Sequence, residues 1–225
     1  MNEITCIISA YNEEKRISSI LEAVYEHALI KEIIVVDDGS KDQTCKVVEK
    51  FGKVRLIRHE INKGKSQAVL TGVAAAEGEI IFLLDADLLN LKPKNITDLI
   101  EPVTSKEADI AISLRKNAPW PFRKIGLDYL SGERVFRKSL IVNDIEKIAQ
   151  LPSYGLEVYL NKLIIKNRLK IKIVFWENVL SPWKHQKGNV WAGLKGEIKM
   201  SWQILKTISI FEIIYQIIMM LKLKI

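Results

Sequence analysis

The chain has 225 residues, of which 48% are hydrophobic and 27% charged, with a formal net charge of +7. This is the composition of an ordinary globular protein, long enough for one α/β domain with a sizeable core and a short appended tail, and it excludes a disordered or fibrous chain. The positive excess favours anionic partners (nucleotide phosphates, an acidic acceptor, anionic lipid or nucleic acid) without choosing among them.

Residues 3–9 read as a first strand, and Ala10-Tyr11-Asn12-Glu13-Glu14 as a loop and helix start with acidic residues suited to a first turn. Ile17, Ile20, Leu21, Val24 and Ala28 then recur at helical spacing. A second strand, Ile33-Ile34-Val35-Val36, ends in Asp37-Asp38-Gly39-Ser40, and a helix over 42–51 follows. Val54–Ile57 is a third strand, and Asn62-Lys63-Gly64-Lys65 is a turn into a helix reaching about Ala76. The strand over 79–84 runs without interruption into Asp85-Ala86-Asp87. Pro93 leads to a helix over 95–101, and Ala108–Leu114 is a further strand ending near Arg115. Alternation of strand and helix up to about residue 115 predicts a doubly wound, mostly parallel sheet flanked by helices.

Beyond that point the pattern loosens. Residues 115–124 hold two prolines, two aromatics and four basic residues and read as a substrate loop. Ser131-Gly132-Glu133-Arg134 with Arg137-Lys138 forms a second basic cluster, a helix spans 156–166, Lys170–Trp176 is a last strand, and Ser181–Gly188 is a polar loop. A long helix is predicted over 198–225. Gln203, Lys206, Ser209, Glu212 and Gln216 mark a narrow polar stripe on it, and its wide apolar face must be buried on the parent domain, in a homodimer or in a membrane interface, the first two being preferred. Its uncharged stretch is too short to span a bilayer. The expected organisation is therefore 1–197 as the catalytic domain, with halves 1–115 and 116–197, and 198–225 as an amphipathic helix. Cys6 and Cys45 have no metal-type spacing and are expected to be reduced thiols of a cytoplasmic protein, peripheral on the cytoplasmic membrane if the tail binds lipid. Charges beginning at Glu3 argue against a signal peptide.

The chemistry centres on Asp85 and Asp87. In open α/β sheets a ligand sits beyond the carboxyl ends of the strands, where both carboxylates stand. Alternation along a strand puts i and i+2 on one side, so the pair is placed to share a Mg²⁺ or Mn²⁺ ion with substrate phosphates. The plain alternative is a strand-end aspartate capping the next helix. No Gly-x-Gly-x-x-Gly follows the first strand and no P-loop is present, which argues against a dinucleotide-dependent dehydrogenase or a P-loop NTPase.

Ala10-Tyr11-Asn12-Glu13-Glu14, Asp37-Asp38-Gly39-Ser40, Asn62-Lys63-Gly64-Lys65 and Asp85-Ala86-Asp87, in that order on successive strand ends and turns, resemble glycosyltransferase family 2, enzymes of the GT-A fold. In the second half, Ser131-Gly132-Glu133-Arg134, Tyr154-Gly155-Leu156-Glu157 and the Ser181–Gly188 loop with its His185 look similar to glucosyl-3-phosphoglycerate synthases, while the first half also occurs in polyprenyl-phosphate glycosyltransferases. The resemblance implies a donor that is a nucleoside diphosphate sugar, UDP-glucose first and GDP-mannose second, and a phosphorylated acceptor; nucleic acid is not expected as a partner. It implies Asp87 as principal ligand of Mg²⁺ or Mn²⁺, His185 as second ligand, and Asp85 holding ribose, sugar or metal through water. Tyr11, Glu13 and Asp38, with Asp37, Ala10 and Ala86 nearby, would line the nucleotide. Lys65 and Arg115 would reach the diphosphate, Glu157 would act as general base or orient the acceptor, and Arg134 and Arg137 would bind an acidic acceptor. Several have a plainer reading: helix capping for Glu13, a first-turn glutamate favoured by the helix macrodipole for Glu157, a surface or packing residue for His185, and a solvated surface for Lys65, Arg134 and Arg137. Competing functions are a nucleotidyltransferase, disfavoured because no Gly-rich basic loop follows the first strand, and an inactive sugar-nucleotide-binding module.

Overall fold

The computed structural model describes residues 3–151, 155–182 and 209–225. Seven strands form one sheet: β1 Ile4–Ala10, β2 Glu32–Asp37, β3 Val54–Arg58, β4 Ile80–Asp85, β5 Ile110–Arg115, β6 Arg134–Arg137 and β7 Ile171–Trp176, in the order β3-β2-β1-β4-β6-β5-β7. β1 to β4 pair in parallel, as do β5 and β7, and β6 alone runs antiparallel between β4 and β5. The unbroken apolar runs of β1, β2 and β4 follow from burial on both faces.

Period-two alternation splits these strands between two cores. Ile7, Ile34, Val36, Ile81 and Leu83 face α3 (Lys65–Ala75), α6 (Ile145–Ala149) and α7 (Gly155–Lys166). Cys6, Ile8, Val35, Phe82 and Leu84 face α1 (Ile17–Val24), α2 (Thr44–Val48) and α4 (Pro93–Thr104), which opens on proline at a position where no backbone N–H is needed. Burial pushes the Cys6 thiol far above its ordinary value, as befits an inert core group.

The second half departs from expectation in two places. Residues expected to form a loop at 115–124 include a short helix, α5 (Trp120–Ile125), none of whose side chains is buried. The stretch read as a basic surface cluster contributes β6, whose Val135 and Phe136 enter opposite cores. Of the tail, α8 (Ile210–Leu223) is described, with Ser209 capping it by accepting from Glu212 N at 3.2 Å. It packs beside α7 and buries Met220, and its polar Gln216 points inward, where the Tyr129 hydroxyl donates to Gln216 Oε1 at 2.8 Å. Residues 198–208, including Gln203 and Lys206, lie outside the described residues. Among the described residues no helix is long and apolar enough to cross a membrane.

Candidate active site

Register brings the chemistry to one edge. Ala10 pairs with Asp37 and Ser9 with Asp85, so the carboxyl ends of β1, β2 and β4 lie side by side. Above them opens a cleft of about 520 Å³, lined by Ala10, Tyr11, Glu13, Asp38, Lys65, Asp85, Ala86 and Asp87, and also by Ser9, Asn62 and Gly64. That volume suits a nucleotide-sized ligand.

The cleft walls are laced by hydrogen bonds between strand-end loops. Asp38 N donates to Ala10 O at 2.8 Å, Asn12 N to Ser40 Oγ at 2.9 Å, Lys41 N to Asn12 Oδ1 at 2.8 Å and Glu13 N to Thr44 Oγ1 at 2.8 Å. Asn12 takes a left-handed φ of 56° to make its reach, and Gly39 (φ 76°) is required because a Cβ there would lie 2.8 Å from the Ile61 carbonyl carbon. Asp37 sits beneath the cleft, its Oδ2 accepting from Ser40 N at 3.1 Å. Burial, with Asp37 beside it, pushes the Cys45 thiol up to about 11.

Asp38 anchors the turn into α3. Its Oδ1 accepts from Lys63 N at 2.9 Å and lies 2.7 Å from His59 Nδ1, and its Oδ2 accepts from Gly64 N at 2.7 Å. The other ring nitrogen of His59 lies 3.0 Å from Thr71 Oγ1. His59 had no signature in the sequence beyond standing one residue past β3. Glu13 is mostly buried and accepts from Arg16 Nε at 2.7 Å, so it both opens α1 and lines the cleft.

At the tip of β4 the strand ends at Asp85, and Ala86-Asp87 form a turn. Lys65 Nζ lies 2.7 Å from Asp85 Oδ1 and 3.6 Å from Glu157 Oε1. Desolvation pulls the lysine pKa down, but Asp85, Glu157 and Glu133 outweigh it and hold it above the usual lysine range. Below them Glu133 is fully buried, and burial pushes its carboxyl up against the opposing pull of Arg115. Ser113 Oγ and Ser131 Oγ reach Glu133 Oε2 at 2.7 and 2.9 Å. Asp128 and Glu133 face Arg115, which leaves Asp85 and Asp87 as the β4-tip carboxylates that line the cleft. Among the described residues no three His, Cys, Asp or Glu converge as a ready-made metal cage. A site of one or two carboxylates completed by substrate phosphates and water fits Mg²⁺ or Mn²⁺ without one.

Gly132 approaches this pair from the bend before β6. A Cβ on it would stand 2.5 Å from Lys65 Nζ and 2.7 Å from Asp85 Oδ1. Behind the cleft Lys65, Asp85, Ser131, Arg134 and Glu157 enclose a second space of about 10 Å³, room for roughly one water molecule.

Several expected roles change with placement. Arg134 is fully buried and spends its guanidinium on Ser131 O (2.8 Å), Asn161 Oδ1 (2.7 Å) and Tyr129 O (3.0 Å), so it braces β6 against α7 and is not offered to an acceptor. Arg137 pairs with Ile80 at the start of β4, the opposite end of the strand from Asp85, because β6 runs antiparallel; an acceptor at the cleft is out of its reach. Arg115 faces Glu133 (3.3 Å) and Asp128 (3.5 Å) and is mostly buried, which makes it a support beneath the carboxylates. Glu157, 4% exposed, lines the small enclosed space and lies 3.6 Å from Lys65 Nζ, which itself lines both that space and the cleft. His185 and Tyr154 lie outside the described residues. The chain leading to His185 is pinned beside the Asp87 turn, since Leu89 and Leu180 exchange backbone hydrogen bonds of 2.8 and 3.1 Å, and Asn117 clasps Ser181 at 2.7 and 3.1 Å.

Comparison with known proteins bears on this arrangement. The profile of "Glycosyl transferase family 2" matches residues 5–165. An uncharacterized protein of Methanocaldococcus jannaschii is 37% identical over 127 residues, covering 52% of this chain and 54% of that protein, so the chain spans about half the length of this relative. A UDP-N-acetylglucosamine–dolichyl-phosphate N-acetylglucosaminyltransferase of Methanococcus voltae is 30% identical over 85% of this chain and 92% of its own length. Among solved structures, glucosyl-3-phosphoglycerate synthase of Mycobacterium tuberculosis, in complex with Mn²⁺, UDP-glucose and phosphoglyceric acid, superposes with a TM-score of 0.63 at 25% identity, over 80% of this chain and 72% of that one. The matched span runs from β1 to α7 and so takes in every cleft residue; with the sheet order and the Asp85-Ala86-Asp87 tip already in place, the chain belongs to glycosyl transferase family 2.

Proposed function

We propose that this glycosyltransferase moves a sugar from a uridine diphosphate sugar, glucose being the first to test, onto the phosphate of a polyprenyl phosphate. The observation that carries the reading is the Asp85-Ala86-Asp87 tip at the floor of a nucleotide-sized cleft walled by Tyr11, Glu13 and Asp38. The donor choice is supported by two of the similar proteins, one named for UDP-N-acetylglucosamine and one bound to UDP-glucose.

Asp87, helped by Asp85 and His185, would hold Mg²⁺ or Mn²⁺, which when bound neutralises charge on the departing diphosphate. Tyr11 offers a half-exposed ring against the base, Glu13 offers an acceptor for a base N–H or ribose hydroxyl, and Asp38 holds the Asn62–Gly64 wall of the cleft. Lys65 holds Asp85 in place, and Glu157 holds Lys65. In the transfer a phosphate oxygen of the acceptor forms the new bond to the anomeric carbon as the bond to the diphosphate breaks and UDP leaves with the electron pair. A phosphate is already an anionic nucleophile and needs no base. Transfer to the hydroxyl of a small phosphorylated acid is the second reading, favoured by the phosphoglyceric acid bound in the similar synthase.

The test is nucleoside diphosphate release by the full chain with Mn²⁺ from UDP-glucose, UDP-N-acetylglucosamine and GDP-mannose, with a short polyprenyl phosphate, with 3-phosphoglycerate, or with neither. Release from a UDP sugar stimulated by the prenyl phosphate supports the reading. Stimulation by phosphoglycerate alone moves it to the hydroxyl acceptor, and no release from any donor removes it.

A further inference from the structure

α8 is amphipathic in an unusual sense: it turns Gln216 and Met220 inward and leaves apolar side chains outside. Ile210, Phe211, Ile214, Tyr215 and Ile218 are 56, 80, 50, 51 and 48% exposed, and their spacing places them on one side of the helix. That strip runs on to Lys222 one turn beyond Ile218, and both Lys222 and Lys224 are exposed. The only carboxylate on the helix, Glu212, is half-buried and accepts from Gln216 Nε2 at 3.0 Å. Lys224 Nζ donates to Gly126 O at 3.3 Å and so ties the end of α8 to the end of α5. α5 presents Trp120 (73% exposed), Arg123, Lys124 and Ile125 to solvent.

We infer that the outer face of α8, with α5 beside its end, docks on an anionic lipid surface. Apolar side chains with tyrosine and tryptophan, bordered among the described residues by exposed lysine and arginine, are the composition of a helix lying in a headgroup layer. The lysine stems reach alongside the apolar strip while their ammonium groups stay with phosphate. Charge selects this occupant over a second copy of the chain, which carries the same net charge of +7 and offers the same basic border. α8 is shorter than a bilayer span, so the docking is in the plane of the surface. The inference deepens the reading above and rests on it only for purpose, since a polyprenyl phosphate resides in such a surface.

Flotation of the full chain with vesicles of pure phosphatidylcholine, and of phosphatidylcholine with phosphatidylglycerol, tests it without any donor sugar. The wild type is expected on the anionic vesicles and to leave them at high salt. Phe211→Ser with Ile218→Ser should weaken partitioning about tenfold or more. Arg123→Glu with Lys222→Glu, which touches no core residue, should abolish the preference for anionic lipid. Both variants should retain transfer to a water-soluble short prenyl phosphate without vesicles, so failure of docking and failure of the assigned reaction are read separately. A wild type that stays off both vesicle types, apolar-strip variants that bind as wild type, or a dimer that those variants dissociate in the absence of lipid binding would each overturn the inference.

Discussion

Gly132→Ala isolates the geometry at the β4 tip. The added methyl would stand 2.5 Å from Lys65 Nζ and 2.7 Å from Asp85 Oδ1, whereas ordinary contact begins near 3.4 Å. The ammonium must therefore retreat by about 1 Å, and it can, because it ends a flexible side chain that is 41% exposed. Since the pair is partly solvated, the loss of stability should be only about 1 kcal/mol. The consequence for activity is larger: Asp85 loses its close cation and turns, and a displacement of that size among positioning groups costs about a hundredfold in rate. UDP release and urea unfolding, measured on wild type, Gly132→Ala and Gly52→Ala, separate the two effects. Gly52 is the control, since a Cβ there meets nothing within 4 Å. A Gly132→Ala enzyme of wild-type turnover would refute the claim that the Lys65–Asp85 pair positions the site.

Asp38→Ala removes the acceptor for Lys63 N, Gly64 N and His59, and should cost about 3 kcal/mol in urea unfolding while weakening UDP binding through a loosened Asn62–Gly64 wall. Gln216→Leu leaves the buried Tyr129 hydroxyl without its acceptor and should destabilise the chain by about 1–3 kcal/mol, with no direct effect on UDP affinity. Asp42 gives a pH signature. Burial alone would raise its carboxyl, but hydrogen bonds from Thr44 and from Glu14 N outweigh burial and hold it below the ordinary 3.8. A depressed folded value means the stabilisation is present above that pH and lost as pH falls below it. The stability difference between wild type and Asp42→Ala should therefore be constant from about pH 8 to 5 and shrink below about pH 4.

The first half of the chain was legible because its signals are local. An apolar run ended by a carboxylate is a buried strand and its tip, and such tips necessarily meet at one edge once the strands are parallel. Asp85, Asp87, Tyr11 and Glu13 line one cleft at that edge. The arginines were misread because charge in a sequence says nothing of direction: β6 is four residues long, too short for periodicity to reveal, and its antiparallel course sends Arg134 inward and Arg137 to the far edge. For Glu157 the sequence shows a first-turn carboxylate, and only the approach of α7 to Lys65 reveals its 3.6 Å pairing. On α8 the narrow polar stripe suggested an outer face, yet Gln216 is drawn inward by one buried hydroxyl, a pairing 87 residues apart that no local pattern encodes.

The most direct measurement is calorimetric titration of UDP-glucose and of UDP into the full chain, with Mn²⁺ and with chelator, for wild type and Asp87→Ala. The account predicts Mn²⁺-dependent binding to the wild type that Asp87→Ala loses by a factor of about a hundred or more while its urea unfolding midpoint is kept. Equal affinity in the two proteins, or wild-type binding indifferent to chelator, would contradict it.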